Sequence, residues 1–100
     1  MDKFDYGMIP DRTMQALKGW VTEGLPTGGF LRAVLSNQLS EAVGKADDEN
    51  LYVLPQIAMF IYNRCPQMCW GNPGAVKDWP SKLLTYKEAG SDPKEFWRDH

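Results

Sequence analysis

Apolar residues recur at spacings of three and four along most of this chain. Between Pro10 and Gly24 the members of such a pattern are Met14, Leu17, Trp20 and Val21. Because an α-helix completes a turn every 3 to 4 residues or so, the pattern predicts an amphipathic helix over about residues 10–23. Residues 25–29, which contain proline and two glycines, then predict a turn.

A second apolar run follows that turn and continues towards Gly44. The run is interrupted at Ser36 and Asn37, whose side chains can form hydrogen bonds with the nearby backbone and so stop or kink a helix. The sequence therefore predicts two short helices over residues 28–36 and 38–45, or one bent helix.

The longest apolar run begins after Asp47-Asp48-Glu49-Asn50, a segment that favours a helix N-terminus. One helical face would carry Leu51, Leu54, Ile57, Ala58, Ile61 and Tyr62. Pro55 falls inside the run, and proline in a helix interior costs about 3 kcal/mol or more. Either the helix kinks there, or a short turn over 48–54 precedes a helix that begins at residue 55.

A short helix is predicted over about residues 73–79, with its end immediately before Pro80. The pattern weakens beyond this proline, apart from a possible helical turn at residues 95–98. We therefore predict an all-α fold, a small single-domain bundle of about four to five short helices. Residues 1–80 form the helical domain and residues 81–100 a C-terminal extension, either packed on the domain or partly mobile.

Size and charge restrict the classes of function. The chain has 100 residues, of which 43% are hydrophobic, enough for one small core. Its formal net charge is −2, which gives no general attraction for nucleic acid or an anionic membrane. Neither a secretory signal nor a membrane-spanning run is visible in the sequence, and two cysteines do not make a disulfide framework. We expect a cytoplasmic protein.

The segment over residues 62–73 contains the candidate chemistry. Cys65 and Cys69 are four residues apart, but Pro66 lies between them and the only histidine, His100, is the last residue. A closed zinc site needs about four ligands, and a nucleophilic thiol needs a base. We therefore predict structural, buried or partly buried thiols, with no catalytic residues, metal site or cofactor.

Tryptophans and acidic residues leave two interpretations open. Trp20, Trp70 and Trp79 favour the core, whereas Trp97 is as compatible with a partner contact as with packing. The acidic cluster Asp47, Asp48 and Glu49 lacks the glycine and the ligand spacing of a calcium loop. It is a helix N-terminus, or an acidic patch that meets a basic protein surface.

Five motifs resemble those of a family of small helical proteins encoded by phages and prophages of Proteobacteria. They are Ile9-Pro10-x-x-Thr13, Gly24-x-Pro26-x-Gly28-Gly29-Phe30-Leu31-x-Ala33-Val34-Leu35-x-Asn37, Ala46-Asp47-x-Glu49-Asn50, Tyr62-Asn63-x-x-Pro66 and Cys69-Trp70-Gly71-x-Pro73. The resemblance covers about residues 6–80. It implies an anti-CRISPR inhibitor of type I-F, or also of type I-E, surveillance complexes.

The implied mechanism is non-catalytic: the protein binds a Cas subunit and blocks recognition of target DNA. CRISPR effectors hold nucleic acid in positively charged channels, so an acidic surface would complement them. On charge alone, the candidate partner-binding residues are Glu41, Asp47, Asp48 and Glu49, with Glu23 as a secondary candidate. The alternative is a small phage regulatory or assembly protein that acts by protein–protein interaction or self-association.

Overall fold

Helices account for all of the regular secondary structure between residues 6 and 90, the part of the chain that the structure, a computed structural model, describes. The six α-helices are α1 (Asp11–Glu23), α2 (Gly29–Leu35), α3 (Leu39–Lys45), α4 (Asp48–Tyr52), α5 (Leu54–Arg64) and α6 (Pro73–Glu88). Short 3₁₀ turns lie at Tyr6–Met8 and Gln67–Cys69. The predicted all-α class is confirmed, with one α-helix more than the expected four to five. Within the described residues no helix is both long and apolar enough to cross a bilayer.

Two left-handed residues separate the first three helices. Gly24 ends α1 with a φ of 67°, and its N–H donates to the Trp20 carbonyl. Asn37 adopts a φ of 62° between α2 and α3, a conformation that asparagine tolerates better than most residues. The predicted helix over residues 10–23 is therefore confirmed. The interruption at Ser36 and Asn37 produces two short helices, not one bent helix.

Pro55 marks the start of α5. The preceding helix ends at Tyr52, and Pro55 is the second residue of the next one, where a backbone N–H would have no helical partner. Proline is therefore accommodated without breaking a hydrogen bond. Of the two alternatives, a separate short segment followed by a new helix is correct, but Asp48–Tyr52 is a helix and not the predicted turn, and α5 begins one residue earlier than predicted.

Pro80 lies inside α6, so the prediction that this helix ends at residue 79 is wrong. Asn72 is the N-cap of this helix, since its side-chain oxygen accepts the Ala75 N–H at 2.8 Å. One turn beyond the proline, Leu83 is only 2% exposed. Burying a leucine contributes about 1.5–3 kcal/mol, comparable with the cost of an interior proline of about 3 kcal/mol. Burial of Leu83 thus offsets the cost of Pro80, and the helix continues beyond the proline.

The continuation of α6 affects the predicted extension over residues 81–100. Its first eight residues belong to the helix, and Leu83 lies in the core. The predicted helical turn at 95–98 lies outside the described residues, as do Trp97 and His100. The boundary between residues 80 and 81 therefore falls within a helix that packs on the domain.

Two tryptophans organise the core where α1, α6 and the second 3₁₀ turn meet. The Trp79 indole N–H donates to the Trp20 carbonyl at 2.8 Å, and the Trp20 indole N–H donates to the Cys69 carbonyl at 3.1 Å. Both rings are buried, which confirms their predicted place in the core. Trp70 is only partly buried, with its ring edge against Tyr62. The largest of the almost wholly buried side chains are Leu17, Val21, Leu35, Ile57, Cys69, Trp79 and Leu83.

Candidate functional site

Asp47 is the N-cap of α4. Its backbone is extended, with φ −74° and ψ 172°, and one oxygen of its carboxylate accepts the Asn50 N–H at 2.8 Å. This bond satisfies one of the backbone donors that the first turn of a helix leaves without a partner. The interpretation of the acidic cluster as a helix N-terminus is confirmed, and Asp47 has a structural role within it.

Arg12 joins this acidic turn to α1. One of its guanidinium nitrogens lies 2.6 Å from a carboxylate oxygen of Asp47 and 3.3 Å from one of Glu49. All three side chains are more than half exposed, so solvent and salt weaken the ion pairs. Reasoning from sequence did not identify Arg12. It lies 35 residues before Asp47, and no local spacing links the two.

A buried polar contact lies between the same two helices. The Thr13 hydroxyl donates to the Asn50 amide oxygen at 2.8 Å, and both residues are buried. A hydrogen bond in such surroundings stabilises one relative position of its two partners, since breaking it leaves a buried polar atom unsatisfied. The acidic end of α4 is therefore fixed to α1 by a buried hydrogen bond and by the exposed Arg12 pairs.

Glu41 and Asp48 differ from Asp47 in their surroundings. Glu41 forms an ion pair within α3, 3.5 Å from the Lys45 ammonium one turn away. Asp48 is exposed and makes no ion pair or side-chain hydrogen bond within residues 6–90. The structure thus brings Asp47, Asp48 and Glu49 together at one helix end and places Glu41 on the preceding helix.

We use the name acidic patch for Glu41, Asp47, Asp48 and Glu49. Arg12 and Lys45 are the cations paired with it, so four carboxylates face two cations and a formal charge of −2 remains. Glu23, the secondary candidate, belongs to a separate contact: its carboxylate lies 3.1 Å from the ammonium of Lys87 on α6.

Cys65 and Cys69 are both buried and form no disulfide, as predicted for structural thiols. Burial raises the pKa of Cys65, and the neighbouring Cys69 raises it further. Burial also raises the pKa of Cys69, to about 12, although hydrogen bonds from its backbone and from Trp20 oppose the shift. Both groups are therefore neutral thiols near pH 7, whereas the thiolate is the nucleophile and the metal ligand.

Grouped metal ligands are also lacking in the described part of the chain. Within residues 6–90, no three histidine, cysteine or carboxylate side chains are arranged to hold an ion. Both cysteines are buried in the manner of structural thiols, and the exposed charges of the acidic patch are the candidate site.

Comparison with known proteins gives no further assignment: no protein-family model, no curated protein and no solved structure matches this chain. The family resemblance of the five motifs stays a prediction.

Proposed function

We propose that this chain is a non-catalytic inhibitor that binds a Cas subunit of a type I-F CRISPR effector complex and blocks recognition of target DNA. It would act in the cytoplasm of a bacterial host. The observation that carries the proposal is the exposed acidic patch, whose three residues at the start of α4 are held against α1. The resemblance of the five motifs supports the choice of partner.

The patch suits a basic partner for two physical reasons. Complementary charge speeds the encounter with a positively charged surface and fixes the orientation of docking. Because Arg12 and the buried bond between Thr13 and Asn50 already fix the end of α4, little ordering remains to be done on binding. Affinity for the effector is therefore expected to fall as the salt concentration rises.

The four patch residues would not contribute equally. Asp47 caps α4 and pairs with Arg12, so its substitution would disturb the fold as well as the surface. Asp48 has no ion pair within the described residues, and Glu49 has only the longer contact with Arg12. Asp48 and Glu49 are the residues whose charge can be changed while the helix cap is kept.

The direct test is co-purification of the chain with a purified type I-F effector complex, followed by a target-DNA binding assay. We expect a stable complex and, at stoichiometric excess of the chain, loss of DNA capture. Absence of binding together with unchanged DNA capture would refute the proposal.

A charge-reversal pair tests the site itself. The variant combines Asp48→Lys with Glu49→Lys, and its control combines Asp78→Lys with Glu88→Lys, two exposed positions on α6 with the same change of net charge. We expect the first variant to bind the effector about tenfold more weakly or worse, and the control to bind nearly as the parent does. If both variants weaken effector binding equally, the net charge of the chain, and not the position of the acidic patch, determines the affinity. Circular dichroism checks that helix content is retained in both.

One observation favours the alternative of self-association. Leu39 and Val43 lie four residues apart on α3 and are 68% and 44% exposed. Leu39 borders a cavity of about 90 Å³ whose lining includes Val34, Leu54 and Ala58. An exposed apolar face of this kind often marks a protein interface.

Sedimentation equilibrium distinguishes this alternative. A regulatory or assembly protein of this type would form a dimer or larger oligomer that Leu39→Glu dissociates. A monomer at every concentration tested would reject self-association and leave the inhibitor proposal unaffected.

A further inference from the structure

A small cavity lies between α6 and the segment that joins α1 to α2. Its volume is about 210 Å³. Four of its lining residues are apolar, namely Trp20, Pro26, Val76 and Pro80. Three others carry hydrogen-bond donors: Thr27, Arg32 and Lys77. The cavity thus combines apolar walls with positive charge at one place on an acidic chain.

The two cations at this cavity have no ion-pair partner within residues 6–90, a property that they share with Lys18 and Lys82. Arg12, Lys45 and Lys87 each lie beside a carboxylate. Arg32 and Lys77 are exposed and have no carboxylate partner within residues 6–90, and no acidic residue lines the cavity. What distinguishes Arg32 and Lys77 is that both line one cavity, so two positive charges without an acidic partner lie at one place on a chain with 13 acidic and 11 basic residues.

The walls of the cavity are held in place by the core. Trp20 on one side accepts the indole N–H of Trp79 through its carbonyl, which joins α1 to α6. At Gly24 the two helices come so close that an added Cβ would lie 3.4 Å from the Pro80 Cα. The two cations reach the cavity from α2 and α6. The site is therefore formed before any ligand arrives, which lowers the ordering cost of binding.

We propose that this cavity binds an acidic peptide segment of a protein partner, with a carboxylate between Arg32 and Lys77 and an adjacent apolar side chain against Trp20 and the prolines. Arginine and lysine both donate to carboxylates, and tryptophan is enriched where interfaces bury most of their binding energy. The cavity shares no lining residue with the acidic patch, so the peptide site and the inhibitor proposal can succeed or fail independently.

The overall charge of the chain decides between an acidic peptide and a nucleic acid, the other anionic macromolecule. Binding to a nucleic acid depends on neutralising many phosphates along an extended positive surface. The cavity offers only two cations, and the chain as a whole carries a net charge of −2. One or two carboxylates match two cations, and the apolar walls match the side chains between them.

The probe is a fluorescently labelled peptide in which glutamate and aspartate alternate with leucine, together with its glutamine and asparagine counterpart. Backbone amide resonances of the full chain are followed by NMR during titration, and affinity is measured by fluorescence anisotropy. We expect saturable shifts at Thr27, Val76 and Lys77. The neutral peptide should bind about tenfold more weakly, and added salt should weaken only the acidic one.

Charge-matched variants locate the site. Arg32→Gln combined with Lys77→Gln removes the two cations of the cavity, whereas Lys18→Gln combined with Lys82→Gln removes two exposed cations outside it. We expect the first pair to weaken binding of the acidic peptide about five- to tenfold, a modest loss because both charges are exposed to solvent. The second pair should change it less than about twofold.

Four results would overturn the proposal. These are the absence of saturable binding, amide shifts confined to another surface, equal binding of the neutral peptide, and equal losses in the two variant pairs. A short oligo-dT strand is the competitor: if it displaces the peptide and binds more tightly, the cavity is a nucleic-acid site and the assignment to an acidic peptide is wrong.

Discussion

Thr13 and Asn50 show how a single residue pair connects the fold to the candidate site. Their hydrogen bond is buried, and it lies beneath the exposed contact of Arg12 with the acidic end of α4. Sequence reasoning placed Asn50 near a helix start but gave it no partner, because Thr13 lies 37 residues away along the chain. The identity of a short polar residue does not predict which distant residue it will contact.

Replacing Thr13 with valine keeps the shape of the side chain and removes the donor. The Asn50 oxygen would then be buried without a hydrogen bond, so we expect Thr13→Val to lower the free energy of unfolding by about 1–3 kcal/mol. Urea denaturation measures the change. The control is Thr85→Val on α6, where an exposed hydroxyl bonds to the Ser81 carbonyl at 3.2 Å, with an expected change within about 0.5 kcal/mol. Equal effects at both sites would contradict a special role for the buried pair.

Cys69 gives a prediction about pH. Burial raises its pKa in the folded chain to about 12, whereas the unfolded thiol ionises near its ordinary value of 9.0. Above this ordinary value the unfolded chain binds fewer protons than the folded one, so stability falls as pH rises. The contribution is fully present below about pH 9 and is lost between about 9 and 12.

Urea denaturation across that pH interval measures the loss. We expect Cys69→Ala to show a shallower decline in the free energy of unfolding than the parent, whatever its stability at neutral pH. Parallel declines in the two proteins would show that Cys69 does not keep its proton in the folded state.

Two glycines at the helices differ in backbone conformation: Gly24 caps the C-terminus of α1, and Gly44 lies within α3. Gly24 has a φ of 67° and packs closely on α6, whereas Gly44 lies within α3 with open space around it. We expect Gly24→Ala to lower the free energy of unfolding by about 1–2 kcal/mol, because an L-residue is strained in the left-handed region. Gly44→Ala should raise it by about 0.5–1 kcal/mol, because alanine favours a helix. Thermal unfolding of the two variants provides the comparison. If both substitutions change the free energy of unfolding in the same direction, backbone conformation does not explain the difference between the two glycines.

Helix limits were predictable where local chemistry determines them. Gly24 ends α1, Asn37 separates α2 from α3, and Asp47 caps α4, each because of its own backbone or side-chain preference. Pro80 is the exception. Its local preference predicts a helix end, but α6 continues because Leu83 is buried in the core. A residue's local preference decides an element only when packing does not outweigh it.

For the whole molecule, the continuation of α6 makes a truncation informative. A chain that ends at Trp79 loses the buried Leu83 and the contact between the Tyr86 hydroxyl and the Met68 sulfur. Compared with a chain that ends at Gly90, we expect its free energy of unfolding to be lower by at least about 2 kcal/mol. Urea denaturation followed by tryptophan fluorescence tests this. If the two chains unfold at the same urea concentration, residues 80–90 are a dispensable extension.

Charge is distributed unevenly over the molecule. A net charge of −2 describes the chain as a whole, but it conceals the acidic patch, on α3 and at the start of α4, and the two cations at the cavity beside α6. The two proposals assign different partners to these surfaces, a basic Cas surface to the first and an acidic peptide to the second. Net charge alone could identify neither surface, since it is a sum over all positions.

The sequence by itself determined the helical class, most helix limits and the burial of Trp20, Trp79 and both cysteines, because periodicity, caps and apolar character act over a few residues. Only the tertiary structure decided that α6 passes through Pro80, that Arg12 faces Asp47, and that Arg32 and Lys77 meet at one cavity. These contacts join positions far apart in the chain. They depend on how the helices pack, and local preference carries no information about that.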